Sequence, residues 1–473
     1  MAKISSKCLF KRILLIGERS FFSSSSSSSS STNNSKRSVA EMGSRDGELR
    51  VFMVAGEVSG DAIASRLMSS LRKISPFPLR FAGVGGALMS QEGLQSLYPL
   101  EDIAVMGIWE LLPHLNKIRR KLKETTEAAL LFRPHVVVTV DSKGFSFRFL
   151  KHLRASCGQQ GAESPVHIHY VAPSFWAWKE GEKRLEGLSS FVDHVLCILP
   201  FEEDVCRSNG LAATFVGHPL LDDALSLNLK MDPLAKWKVQ GNDEGFRIKY
   251  GIPSGAMVIT LLPGSRLQEV TRMLPVFLNS VEQLKDSYPD LTTVIPVAPN
   301  QHVERYIDRA IDKWTVPTIL IPGGSQNLKY DAFSASRAAL STSGTAILEL
   351  QLTRLPCVAA YRAHFITEWF IKWRTKLQYM TLPNILMESH VIPEALFQAC
   401  TPKNLASLVS QLIQDDHLRR NQTSTAEKVF ELLSPPRRNI CNVSQEVGSL
   451  YNNNSPSMIA ASTILYSVRR QHQ

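Results

Sequence analysis

From residue 51 onward the chain alternates short, unbroken apolar runs with longer stretches in which apolar residues recur every three to four positions. The runs at 51–55, 80–83, 135–140, 166–171, 192–198 and 213–216 read as strands covered on both faces, because such strands have no polar alternation. The stretches at 61–73 and near 109–132, 145–155, 180–189 and 201–209 read as helices. Repeated strand-helix units predict a mainly parallel sheet with helices on both sides. A second series of runs at 257–262, 292–297, 317–321, 338–341 and 356–360 predicts another sheet of the same kind. The expected fold class is therefore α/β, with two Rossmann-like doubly wound domains facing a cleft.

Composition refines the boundaries. Residues 1–45 form an expected transit peptide: the first forty carry seven Lys or Arg against the single Glu18, and nine consecutive serines run from Ser23 to Ser31. This is the pattern of a mitochondrial address and not of a secretory signal, since Ile13–Ile16 is too short an apolar core. Residues 46–225 are read as the first domain and 226–256, which include Gln240-Gly241-Asn242-Asp243-Glu244-Gly245, as a linker. Residues 257–434 form the second domain, and 435–473 a C-terminal helix and tail.

The presequence contributes +6 of the formal net charge of +10, so the remainder is only mildly basic. No basic stripe with interleaved aromatics marks a nucleic-acid module, and nucleic acid is not expected as a partner. The seven cysteines contain no C-x-x-C pair, so neither a zinc site nor a disulfide framework is indicated. No apolar run approaches the roughly 20 residues that span a bilayer.

Three loops follow strands and begin helices, where open α/β sheets carry ligand groups. The first is Gly56-Glu57-Val58-Ser59-Gly60-Asp61. Ser59 and Asp61 suit the first turn of a helix, with Ser59 as its cap, whereas capping explains Glu57 poorly. The second is Pro263-Gly264-Ser265-Arg266, followed by Gln268 and Glu269. Ser265 and Gln268 have capping-box spacing, and a helix start beside a guanidinium suits a diphosphate. The third is Ser343-Gly344-Thr345, with Glu349 placed to accept from two ribose hydroxyls. Neither of the last two loops has the dinucleotide glycine pattern, which favours a nucleoside diphosphate over NAD.

Further motifs complete an ordered set: Gly83-Val84-Gly85-Gly86, Ala104-Val105-Met106-Gly107, His169–Ser174 with Trp176-Ala177-Trp178, Gly217-His218-Pro219 and Leu382-Pro383-Asn384. Together with the three loops they resemble the lipid-A-disaccharide synthase family over residues 50–435. The resemblance implies a B-type glycosyltransferase whose first domain binds the acceptor and whose second binds the UDP-sugar. It would join UDP-2,3-diacylglucosamine to 2,3-diacylglucosamine 1-phosphate with inversion, giving a β-1,6-linked disaccharide 1-phosphate and UDP. No cofactor and no metal are expected, in keeping with the absence of Asp-x-Asp.

The base on the acceptor hydroxyl is expected to be Asp141, at the carboxyl end of Val136–Val140, where a carboxylate also suits a helix N-cap. The family reads Asp-Ala-Pro-Asp-Phe here, whereas this chain reads Asp141-Ser142-Lys143-Gly144-Phe145. Lys143 is placed to attract the acceptor phosphate. Glu57 and Asp61 are the competing carboxylates, and His218 and Asn384 are further expected substrate contacts. Two acyl-bearing substrates call for an apolar approach. Ile108–Leu115 and the Trp- and cation-rich His364–Lys376 suit a peripheral membrane surface. Two other readings stay open. Another enzyme of the fold, such as a UDP-N-acetylglucosamine 2-epimerase, would share the nucleotide loops but not the acyl-binding helices. A non-catalytic sugar-nucleotide or lipid-binding protein would account for Gly144 in place of the second Asp.

Overall fold

The computed structural model describes residues 37–103, 108–227, 230–231, 237–363, 365–435 and 455–469. They form two units. The first takes the described residues up to Trp176, then Glu180–Pro219 and those from Pro435 onward; the second takes Ala177–Lys179 and Leu220–Ser434.

The first unit is built on six parallel strands, β1 (Leu49–Ala55), β2 (Leu79–Val84), β3 (Val136–Val140), β4 (Val166–Tyr170), β5 (His194–Cys197) and β6 (Ala213–Phe215), in the order β2-β1-β3-β4-β5-β6. Four of the five residues of β3 are valine and all five are buried, as a β-branched run in a central strand should be. Phe52 on β1 meets Phe132 and Phe149 from two helices, with ring centroids 6.1 and 5.9 Å apart. The strand order reverses between β1 and β3, so the carboxyl ends of these two strands border the crevice in which doubly wound folds hold ligands.

The transit peptide expected over residues 1–45 overlaps a folded segment. Residues 1–36 are outside the described residues, but Val39–Asp46 is a helix with a Ser38/Glu41 capping box, and Val39 is fully buried in the core of this unit. Ser38-x-x-Glu41 is a helix-start signature within this polar stretch. The C-terminal helix Pro456–Tyr466 belongs to this unit as well. Its Ile459, Ile464 and Leu465 join the same core, and Ser70 Oγ donates to Ser457 Oγ at 2.9 Å.

In the second unit β7 (Lys230–Met231) and β8 (Val239–Gln240) form an antiparallel ribbon. The main sheet holds β9 (Val258–Leu262), β10 (Thr292–Pro296), β11 (Thr318–Ile321), β12 (Ala338–Thr342), β13 (Cys357–Tyr361) and β14 (Glu394–Leu396), in the order β11-β10-β9-β12-β13-β14. Here the order reverses between β9 and β12. The segment 226–256, expected as a linker, carries the ribbon and a helix, Asp243–Tyr250, that packs into this unit. Phe246, Ile252 and Ala256 pack with Val258, Ala332 and Ala335, and Gly241 N donates to Ser334 Oγ at 2.9 Å. Of the polar residues that mark a linker by composition, Gln240 lies in β8, Asn242 caps the helix, and Asp243 and Glu244 are exposed in its first turn, while Phe246 points into the core. Strand β14 escapes the hydrophobic pattern because it has only three residues and begins with Glu394.

Candidate active site

In the second unit, two of the expected loops line a single cavity. Gly264, Ser265, Arg266 and Glu269 follow β9, and Ser343, Gly344, Thr345 and Glu349 follow β12. All border a space of about 440 Å³ at the point where the strand order reverses. Gly264 (φ 122°) and Gly344 (φ 132°) take backbone conformations that side chains disfavour. A Cβ on Gly264 would come within 2.8 Å of Glu269 Cβ.

The local wiring differs from the expected capping box. The helix begins at Leu267 with Arg266 as its N-cap residue, and no side chain closes it. Instead Glu269 accepts from Ser265 N and from Arg266 Nη1, both at 3.3 Å. Glu269 therefore orients the arginine, whose side chain remains half exposed towards the cavity. The helix Thr345–Leu352 also lacks a side-chain cap at Gly344. Glu349 is gripped by Lys329 Nζ at 2.9 Å. Lys329 lines the cavity too, yet no local motif marks it. It comes from the helix that follows β11, and only the strand order carries it next to Glu349.

In the first unit the loop after β1 meets the loop after β3. Gly56 lies so close to Ser142 that an added Cβ would stand 2.2 Å from the serine's Cβ. Asp141 is half-buried and lies at the carboxyl end of β3 as expected, but it is not the helix cap: the N-cap residue is Ser142. Asp141, Ser142 and Val171 all have positive φ, at 51°, 45° and 74°. For β-branched Val171 this is a true outlier, and strained backbone of this kind concentrates at functional sites at roughly 1–3 kcal/mol each. The strain is held by hydrogen bonds: Asp141 N donates to Tyr170 O at 3.0 Å, and Val171 N to Leu196 O at 3.0 Å.

Several expected contacts have other duties. The helix after β1 begins at Val58 with Glu57 as its N-cap residue, so Ser59 is an exposed first-turn residue and not the cap. Asp61 is almost completely buried. Its carboxylate accepts from Gly86 N at 2.8 Å, Leu88 N at 3.0 Å and Met89 N at 3.1 Å. Three backbone donors occupy it as a cap for the helix Ala87–Gln91, which leaves it badly placed as a base. Glu57 keeps a half-buried position beside this loop.

Asn384 is fully buried. It donates to Ile392 O and Glu394 Oε1, both at 2.8 Å, and accepts from Val391 N and Ile392 N at 2.9 and 2.8 Å. With its amide satisfied inside the protein, Asn384 pins 380–394 and has no capacity left for a substrate. His218 is also buried, and desolvation pushes its pKa down to about 4. It is neutral near pH 7.

The Trp- and cation-rich segment forms the helix Phe365–Arg374. Trp369 and Trp373 are 64% and 53% exposed and stack with centroids 5.7 Å apart. Arg374 lies over the Trp373 ring at 5.3 Å. The side chains of 108–115 and the whole of 104–107, which the sequence reading also used, lie outside the described residues. Among the described residues no helix is long and apolar enough to cross a membrane.

A family model described as lipid-A-disaccharide synthetase matches residues 51–446. The chain belongs to the lipid-A-disaccharide synthase family. It is 57% identical over 437 residues to an Arabidopsis thaliana protein named "Probable lipid-A-disaccharide synthase, mitochondrial", a match covering 92% of this chain and 94% of the relative. It is 41% identical over 394 residues to the lipid-A-disaccharide synthase of Rhodospirillum centenum, covering 82% and 92%. Among solved structures it is similar to a UDP-GlcNAc 2-epimerase from Neisseria meningitidis, bound to UDP-GlcNAc. The TM-score is 0.55 at 14% identity, covering 81% of this chain and 97% of that one. That likeness speaks for the fold alone. Family membership makes this protein a glycosyltransferase of lipid A biosynthesis, so the epimerase and binding-protein readings are not favoured.

Proposed function

We propose that the second unit holds UDP-2,3-diacylglucosamine through its diphosphate and ribose, and that Asp141 activates the acceptor, 2,3-diacylglucosamine 1-phosphate. The observation that carries this reading is the convergence of Arg266, the uncapped start of Thr345–Leu352 and Glu349 on one cavity. A fixed guanidinium and free backbone N–H groups are what a departing diphosphate needs, and a carboxylate suits ribose hydroxyls. In the reaction the acceptor 6-hydroxyl attacks the anomeric carbon of the donor. The bond from that carbon to the diphosphate oxygen breaks with the electron pair leaving on UDP, and the hydroxyl proton passes to Asp141. Glu57, beside the same crevice, contacts sugar hydroxyls.

The same reading puts the protein in the mitochondrion, on the strength of the presequence and the name of the Arabidopsis relative. It also puts the stacked Trp369 and Trp373 at a membrane surface, where an acylated substrate resides and an indole is well accommodated. The test follows UDP release by purified residues 37–473 with both acylated substrates. Release only when the acceptor is present, lost by roughly 10²–10⁴-fold in Asp141→Asn, supports the reading. Full turnover by Asp141→Asn overturns the role of the base, and UDP binding without turnover overturns the transferase.

A further inference from the structure

Where the family carries its second Asp, this chain has Gly144, and the residue before it is a lysine. The structure shows where that lysine points. Lys143 Nζ lies over the ring of Phe175 at 5.3 Å from the centroid, and Arg184 Cζ lies over the same ring at 5.8 Å. The three residues come from different places: Lys143 from the helix after β3, Phe175 from the turn after β4, and Arg184 from the short helix Lys183–Glu186. Two cations thus converge on one half-buried aromatic ring. The groups acting on Lys143 are telling. Desolvation lowers its pKa most, Asp141 favours its charged form, and Arg184 opposes it. Like charges share this platform, with Asp141 two residues away along the chain.

We infer that Lys143 and Arg184, with Phe175 between them, form the seat for the acceptor's 1-phosphate, which fixes the acceptor sugar so that its 6-hydroxyl reaches Asp141. This rests on the proposed transfer reaction and extends it to acceptor selection. A phosphate dianion offers three acceptor oxygens, enough for an ammonium and a guanidinium at once, and relieves their mutual repulsion. The 1-phosphate is borne by C1 and the 6-hydroxyl hangs from C5, the two carbons that flank the ring oxygen of one pyranose, so a cation seat close to the base matches the size of the acceptor. The loss of the family's carboxylate at Gly144 acts in the same direction, because an Asp there would add a negative charge beside the seat.

The test compares 2,3-diacylglucosamine 1-phosphate with its dephosphorylated counterpart as acceptors for the full enzyme. The readouts are UDP release, KM for each substrate and kcat. In Lys143→Met the preference for the phosphorylated acceptor, as a ratio of kcat/KM values, is expected to fall about tenfold, chiefly through acceptor KM, with donor KM little changed. Lys143→Arg is expected to recover most of it. Arg184→Met, on a separate and exposed helix, is expected to give the same loss independently, so a folding defect in one variant does not remove the test. An unchanged preference in both Met variants, in an enzyme that still turns over, overturns this seat while leaving the transferase intact. No acceptor-dependent release by the unmodified enzyme overturns the underlying reaction as well.

Discussion

Gly56 and Ser142 touch so closely that no side chain fits between them: a Cβ on Gly56 would stand 2.2 Å from Ser142 Cβ and 2.3 Å from its Oγ. This contact locks the loop after β1 to the residue next to Asp141. Gly56→Ala must push Ser142 and Asp141 away from the crevice. It is expected to cost about 1–3 kcal/mol of stability by overpacking and to reduce kcat by the order of 10²-fold through misplacement of the base. Melting by circular dichroism and acceptor-dependent UDP release check the two parts separately.

Arg266 is held by Glu269 and faces the cavity. Arg266→Ala is expected to weaken UDP binding by roughly tenfold or more, as loss of a charge-assisted contact to a diphosphate should. Lys329→Met is expected to weaken it less, through the loosened Glu349. Calorimetric titration with UDP, before any turnover is considered, reads both.

Asp61 shows how a structural carboxylate is told apart from a reactive one. Asp61→Ala leaves three backbone N–H groups without their acceptor, and the expected loss of stability is about 1–3 kcal/mol or more. Urea unfolding measures it. A full-stability Asp61→Ala with abolished turnover would instead return Asp61 to the chemistry.

The stacked indoles make a separate prediction. Replacing Trp369 and Trp373 together with alanine is expected to reduce co-sedimentation with anionic liposomes severalfold while leaving the melting temperature nearly unchanged, because both side chains are more than half exposed. Unaltered sedimentation would remove this helix from the membrane-facing surface.

Buried histidines set the acid limit. Desolvation pushes His167 and His169 down to about 3 and His218 down to about 4, so all three are neutral when folded. The unfolded chain takes up these protons near 6.5, so their stability is present above that pH and is lost as pH falls towards 4. Glu202 opposes them. Burial raises its pKa to about 7, so from that group stability is gained as pH falls from 7 towards 4.5. Together with His135, whose pKa burial also lowers, the three histidines outnumber Glu202 and leave a net loss below pH 6.5, at up to about 1.4 kcal/mol per pH unit for each uncompensated group. Melting at pH 7.5, 6.5 and 5.5 measures the slope, which His218→Gln is expected to flatten.

The strands of both sheets except β14, the loops at their carboxyl ends and the family were readable in the sequence. Buried parallel strands are apolar throughout, and ligand loops concentrate glycine, hydroxyl and charged residues into a few positions. The start of the folded region and the inter-sheet segment were not readable from composition, because their few buried apolar residues, such as Val39, Phe246 and Ile252, are scattered among polar ones. The tertiary structure decided which polar residues are free to act. Asp61, Asn384 and Arg266 are equally polar as letters. Burial gives the first two a full set of internal hydrogen bonds, while Glu269 holds the third half exposed at a cavity. It also decided the pairings. Lys329 with Glu349, and Lys143 with Arg184 across Phe175, depend on strand order and crossovers that join positions far apart in the chain. Local sequence carries no trace of such distances, because they are fixed only when the sheets assemble.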